Sequence, residues 1–135
     1  MTDAPELQAR SSAFIRAAGL ELDEVGPTRV TGWIDVGPDH HQPWGLVHGG
    51  VYSSAIESAA SIGASLAAQA QGLAAVGVNN NTNFLRSMAS GRVTLEAQPI
   101  QQGRTQQLWE VNVTDEEQRL VATGQVRLQN ITPRA

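Results

Sequence analysis

The 135-residue sequence contains no cysteine. That absence excludes disulfides, thiolate metal sites and a cysteine nucleophile, and it fits the cytoplasmic setting expected here. Net charge is -4 with no basic cluster, so a nucleic-acid grip built on a stripe of cationic side chains is not expected. The opening MTDAPELQARSSAF sets acidic residues before any apolar run, unlike a secretory signal. Long hydrophobic runs are also missing. The longest stretch poor in charge is rich in Ser, Gln, Asn and Gly, which argues against a membrane span. The most informative shortage is of charge in the middle of the chain: between Asp39 and Arg86 the sole Asp, Glu, Lys or Arg is Glu57.

What is present reads as one domain over residues 1–135 with a single core. Apolar residues at helical spacing predict a helix over about 5–18, ending at Gly19. Two short strands follow, Leu20 to Val25 and Arg29 to Val36, joined by a Gly26-Pro27 turn; Val30, Gly32, Ile34 and Val36 share one face of the second. Beyond a loop rich in Gly, Pro and His, a second helix is expected over about 50–70. Four strand-like runs complete the chain: Ala74 to Leu85, Arg92 to Gln101, Gln106 to Thr114 and Arg119 to Leu128. Their alternation of apolar and polar residues is what an antiparallel sheet with one wet face requires. The run Asn79-Asn80-Asn81 is expected to terminate or bulge its strand.

On a wheel of 3.6 residues per turn, the long helix gathers Val51, Tyr52, Ile56, Ile62 and Leu66 on an arc expected to face the core. The opposite arc holds Ser54, Glu57, Ser61, Ala64 and Ala68, all small except the glutamate, where a surface helix would carry several charges. Both sides are therefore expected to be covered. A curved sheet wrapped around the helix satisfies one of them, an α+β arrangement, and a second surface satisfies the other.

His48-Gly49-Gly50 stands where this helix begins. The first turn of a helix offers backbone N–H groups without intrahelical partners, and glycine lets a ligand carbonyl or its developing oxyanion come close to them. Glu57 lies eight residues on, about 12 Å along the axis at 1.5 Å per residue. That is too far for both to address one carbonyl within the same chain. Two helices running antiparallel across a twofold axis would bring the amides of one chain to Glu57 of the other, which predicts a homodimer with two shared sites. Ser54 or Ser61, one turn away on either side, could hold the carboxylate ionised by hydrogen bonding. Beside an activated carbonyl, an ionised carboxylate either deprotonates a water or attacks directly, and the sequence does not choose.

The stretch Gln42-Pro43-Trp44-Gly45-Leu46-Val47-His48-Gly49-Gly50, with an acid nine positions after the histidine, resembles the hotdog-fold acyl-CoA thioesterases, in the branch of the phenylacetic-acid-pathway and Arthrobacter-type 4-hydroxybenzoyl-CoA enzymes. The likeness extends from about Leu20 to Leu128. It implies an antiparallel sheet wrapped around a long central helix, dimers often paired into tetramers, and hydrolysis of an acyl-CoA thioester with no metal and no cofactor, CoA being part of the substrate. Carried over by position, Gly49 donates its N–H to the thioester carbonyl, Gln42 helps orient that carbonyl, Glu57 is nucleophile or general base, Ser61 orients acid or water, and His48 supports the thioester. Gly50 joins the substrate-binding set. In the segment Asn83 to Gly91, NFLRSMASG, the resemblance gives Arg86 a CoA-phosphate contact and puts Asn83 beside it; Ser87 stands where many relatives carry Pro.

Two other readings use the same residues. A non-catalytic acyl-CoA binder or sensor would bind saturably without releasing thiol, and a carboxylate at position 57 argues against it. Hotdog dehydratase chemistry pairs an Asp and a His in a different spacing, and no second acid stands near His48. His40, His41 and His48 do not predict zinc, because two are adjacent and no second acidic cluster supplies the three or four converging ligands such sites use. The acyl group, the physiological role and the choice between dimer and tetramer are not legible.

Overall fold

The computed structural model describes residues 2–134. Helices α1 (Ala4–Ala9) and α2 (Ala13–Ala18) lead into strands β1 (Glu21–Gly26) and β2 (Arg29–Val36). The long helix α3 (Gly49–Gln69) follows, then β3 (Ala74–Phe84), β4 (Gly91–Gln102), β5 (Gln106–Thr114) and β6 (Leu120–Ile131). The six strands form one sheet in the order β1-β2-β4-β5-β6-β3. Each pairing is antiparallel, and the sheet packs its inner face on α3.

Period-two patterning explains the sheet. Val30, Gly32, Ile34 and Val36 of β2 are buried, as are Val93, Leu95 and Ala97 of β4, Trp109, Val111 and Val113 of β5, and Ala122, Gly124, Val126 and Leu128 of β6. Each alternates with a more exposed neighbour, the arrangement of a half-buried sheet. Leu120, which the alternation of Ala122, Gly124, Val126 and Leu128 would place on the same inner face, is instead 40% exposed at the start of β6, where a register irregularity falls between Val113 and Thr114 of the paired strand.

The N-terminal segment is two short helices rather than one. Asp3 caps α1 by accepting the Glu6 N–H at 2.9 Å, and Ser12 caps α2 by accepting the Ile15 N–H at 3.3 Å. A second N-cap inside the segment forces a non-helical residue there, so the expected helix over 5–18 breaks between Arg10 and Ser12. Gly19, at φ 85°, closes α2 in the left-handed conformation that glycine adopts without cost.

The buried face of α3 is made of small residues. Tyr52, Ala55, Ile56, Ala59, Ala60, Gly63, Ala64 and Ala68 are buried, whereas Val51, Ile62 and Leu66 are only half-buried. This corrects the expected arcs: Ala64 and Ala68 belong to the core side. The reason is the sheet's closeness. Trp109 is fully buried against Gly63, where an added Cβ would lie 2.3 Å from the Trp109 Cη2, so this contact admits no side chain at all. Gln107 holds the tryptophan in place by accepting its Nε1–H at 2.9 Å while donating to the Ala64 carbonyl at 3.0 Å.

β3 is an edge strand with much of both faces open. Asn79-Asn80-Asn81 does not end it. The strand runs through the three asparagines to Phe84, and the irregularity expected there falls just before them, between Gly77 and Asn79.

Candidate active site

The loop from His40 to His48 delivers the chain to the start of α3. His40 accepts the Gly37 N–H at its Nδ1 (3.2 Å), which leaves its Nε2–H to donate to the Ala17 carbonyl at 3.1 Å; His41 Nε2 lies 2.6 Å from the Ala89 carbonyl. Both rings are therefore engaged with backbone. A tight ladder closes the loop, with the Gln42 N–H donating to the Leu46 carbonyl, the His48 N–H to the His40 carbonyl and the Val47 N–H to the Met88 carbonyl.

His48 is the N-cap of α3. Its Nδ1 accepts the Gly50 N–H at 2.8 Å, so one of the helix-end donors is already satisfied. An added Cβ at Gly50 would lie 2.9 Å from that nitrogen, so the cap itself requires a glycine. The Gly49 N–H is different: no acceptor is paired with it among the described residues. It sits at the positive end of a 21-residue helix.

Gln42 is oriented with similar economy. Its Oε1 accepts the Trp44 N–H at 2.7 Å and the Leu46 N–H at 3.3 Å. With two donors on the oxygen, the side-chain NH2 is the end left available, paired with no acceptor among the described residues. Gln42 and Gly49 line one cavity of about 300 Å3 together with Tyr52, Phe84, Arg86 and Ser87. Arg86 is anchored there through its N–H, which donates to the Val121 carbonyl at 3.1 Å, and its guanidinium makes no ion pair among the described residues.

Glu57 lies elsewhere. With Ser61, Ser53, Ser54, Ser58, Asn80 and Phe14 it lines a second and larger cavity, of about 610 Å3. Within one chain the structure thus separates the two halves of the expected site, Gln42 and Gly49 on one side and Glu57 with Ser61 on the other. His48 and Gly50 border a third cavity, with Phe14, Asp39 and Ser54. Asn83 is exposed on β3 opposite Thr123, turned from the helix-facing positions Asn80 and Thr82, and is not among the residues around Gln42 and Gly49.

The hydrogen bond expected from Ser54 or Ser61 to the carboxylate comes from another element. Asn80 Nδ2 donates to Glu57 Oε1 at 3.3 Å and to the Ser53 carbonyl at 3.0 Å, while its Oδ1 accepts the Thr82 hydroxyl at 2.7 Å. Thr82 in turn faces Gly124, where a Cβ would lie 2.8 Å from its Oγ1. A row of residues reaching from β6 across β3 to α3 therefore holds Glu57. Asn80 and Thr82 are two apart and face the same way, a signal present in the asparagine run but not separable there from strand-breaking.

The chain is similar to known proteins along most of its length. Residues 45–122, more than half of the chain, match the thioesterase superfamily. The chain belongs to that family. Its sheet wrapped around one long helix is the hotdog fold, and its chemistry is thioester hydrolysis. It is 49% identical over 123 residues to the Mycobacterium tuberculosis protein named "Putative esterase Rv1847", covering 90% of this chain and 88% of that one. It is 36% identical over 103 residues to the 1,4-dihydroxy-2-naphthoyl-CoA hydrolase of Listeria monocytogenes, covering 76% of this chain and 83% of that one. The solved structure of thioesterase HI1161 from Haemophilus influenzae superposes with a TM-score of 0.88 at 31% identity, over 97% of this chain and 92% of that one. The matched span of this thioesterase includes Gly49, Glu57, Ser61, Asn80 and Arg86, with Gln42 just outside it.

Proposed function

We propose that this thioesterase hydrolyses an acyl-CoA thioester in sites shared between two copies of the chain. The observation that carries the reading is the division of the site: the free Gly49 N–H and the Gln42 amide share one cavity, and Glu57 stands in another, about 12 Å further along the same helix. Two α3 helices antiparallel across a twofold axis bring the first cavity of one chain to the second cavity of its mate. The exposed edge of β3, with Val76, Val78 and Phe84 open to solvent, supports this pairing, because an unprotected apolar edge invites another strand. The same dimers can pair into a tetramer.

In the proposed site the Gly49 N–H and the helix dipole polarise the thioester carbonyl, and the Gln42 NH2 orients it. Glu57 then acts in one of two ways. As general base it takes a proton from water, whose oxygen attacks the carbonyl carbon; as nucleophile it attacks that carbon itself, forming a mixed anhydride that water opens. In either route the C–S bond breaks and CoA leaves as the thiol. Ser61 stands beside Glu57 to orient acid or water, and His48 fixes the helix end. The Arg86 guanidinium, without an ionic partner among the described residues, suits a CoA phosphate. No metal or cofactor enters this mechanism.

The test is a thiol-release assay with aryl, short, medium and long acyl-CoAs. Glu57→Ala is expected to fold normally and to lose about 10²–10⁴-fold in turnover. Parent-level turnover by that variant would end the reading, and saturable binding without thiol release by the parent would replace it with a binding protein. Shared sites are tested by co-expressing Gln42→Ala and Glu57→Ala chains. Each homodimer is expected to be inactive, while a purified heterodimer regains one intact site.

A further inference from the structure

Among the described residues, one buried side-chain polar atom has no hydrogen-bond partner, the hydroxyl of Tyr52. The residue is 3% exposed. Native proteins leave few such groups unpaired, because burial removes water without replacing it, so an orphan hydroxyl calls for an acceptor that arrives later. Its position says where. Long side chains on a helix lean back toward the N-terminus, so the phenol of residue 52 lies over the turn that begins at Gly49. Tyr52 accordingly lines the same cavity as Gly49 and Gln42. Phe84 ties the two together: its ring centre is 6.5 Å from that of Tyr52, and its Cζ lies 2.7 Å from where a Gly49 Cβ would stand.

The polar groups of this cavity are biased toward donation. The Gly49 N–H is free, the Gln42 oxygen is occupied so that its NH2 is what remains, Arg86 donates only, and the Tyr52 O–H has no acceptor. A site of this composition is complementary to a ligand that brings an acceptor oxygen. We propose that the Tyr52 hydroxyl is a second donor, beside the Gly49 N–H, to the carbonyl oxygen of the thioester and to the oxyanion that forms on it. The inference rests on the reading of Gly49 given above. Phe84, 55% exposed at the rim, is the side chain that can swing to admit the carbonyl. Burial pushes the phenol up to about 12, so it remains a protonated donor at neutral pH.

The experiment is Tyr52→Phe, which removes one oxygen and no packing. The expected result is a fall of about 10²-fold in kcat with a rise of at most about tenfold in KM, the mark of a contact that is present with substrate and strengthens in the transition state. The melting temperature is expected to hold or rise, since the hydroxyl has no partner to lose among the described residues. Binding of two unreactive CoA thioethers adds a readout independent of turnover, one carrying a ketone next to the S–CH2 group and one with that ketone replaced by CH2. Tyr52→Phe should weaken the ketone about tenfold and leave the other unchanged. Parent-like kcat, a rise in KM alone, or equal weakening of both thioethers would overturn the inference. So would a melting temperature lowered by several degrees with unchanged kinetics. Glu57→Ala, run alongside, separates the two failures: if it is inactive while Tyr52→Phe is parent-like, only the role of Tyr52 falls.

Discussion

Asn80 reaches from the edge strand β3 to the central helix and donates one hydrogen bond to Glu57 and one to the Ser53 carbonyl. The Thr82 hydroxyl fixes which end of the amide faces the carboxylate. Asn80→Ala should therefore leave Glu57 present but unsteered. A hydrogen bond to a charged group is worth about 1.5–3 kcal/mol, and with this pair partly exposed we expect the lower end, about a tenfold loss of kcat/KM. Thr82→Val should move activity the same way by less. Steady-state kinetics on the purified variants check both, and parent-level activity in Asn80→Ala would remove Asn80 from the site.

Gly49 and Phe84 are coupled by contact. A methyl at Gly49 would lie 2.7–3.0 Å from three atoms of the Phe84 ring, and that ring is exposed enough to move aside. Gly49→Ala is expected to fold with a small loss of stability and a large loss of turnover. In a Phe84→Ala background the same substitution should cost less, because the collision is gone. The double-mutant cycle of kcat/KM measures this, and strict additivity would show that the ring and the glycine act independently.

Gly63 offers no such relief. A Cβ there would lie 2.3, 2.6 and 3.0 Å from three ring carbons of Trp109, which is fully buried and pinned through Nε1 by Gln107. Overpacking of this kind costs about 1–3 kcal/mol. Gly63→Ala should lower the melting temperature by several degrees, as differential scanning calorimetry would register. An unchanged melting temperature would mean that α3 and the sheet are less closely held than the structure describes.

Asp115 sets a pH dependence at the β5–β6 turn. Burial pushes its carboxyl up, but the N–H groups of Arg119 and Glu117 and the Arg119 guanidinium at 2.8 Å outweigh burial and hold it below the usual carboxylate range. The folded protein therefore binds this proton less readily than the unfolded chain. The stabilisation is complete above the ordinary aspartate value of ~3.9 and is lost as pH falls through the lower, folded one. Asp115→Asn should melt below the parent at neutral pH, and the gap should shrink in acid. A gap independent of pH would assign the effect to turn shape instead of charge.

Much of the fold was legible because local rules carry it. Alternation in the strand-like runs set the faces of β2, β4, β5 and most of β6, and Gly19 marked a helix end through its backbone freedom. The isolation of Glu57 from other charge, and its eight-residue offset from Gly49, followed from counting along one helix. What counting does not contain is the approach of segments distant in the chain. The split of the N-terminal helix was decided by one serine acting as a cap. The small-residue face of α3 turned toward the sheet because Trp109, 46 positions away, fills the space over Gly63. Asn80 became a partner of Glu57, and the Tyr52 hydroxyl became an orphan, only when the sheet curled around the helix. A residue's type and spacing determine which face it occupies, whereas its partners depend on which distant strand closes over that face.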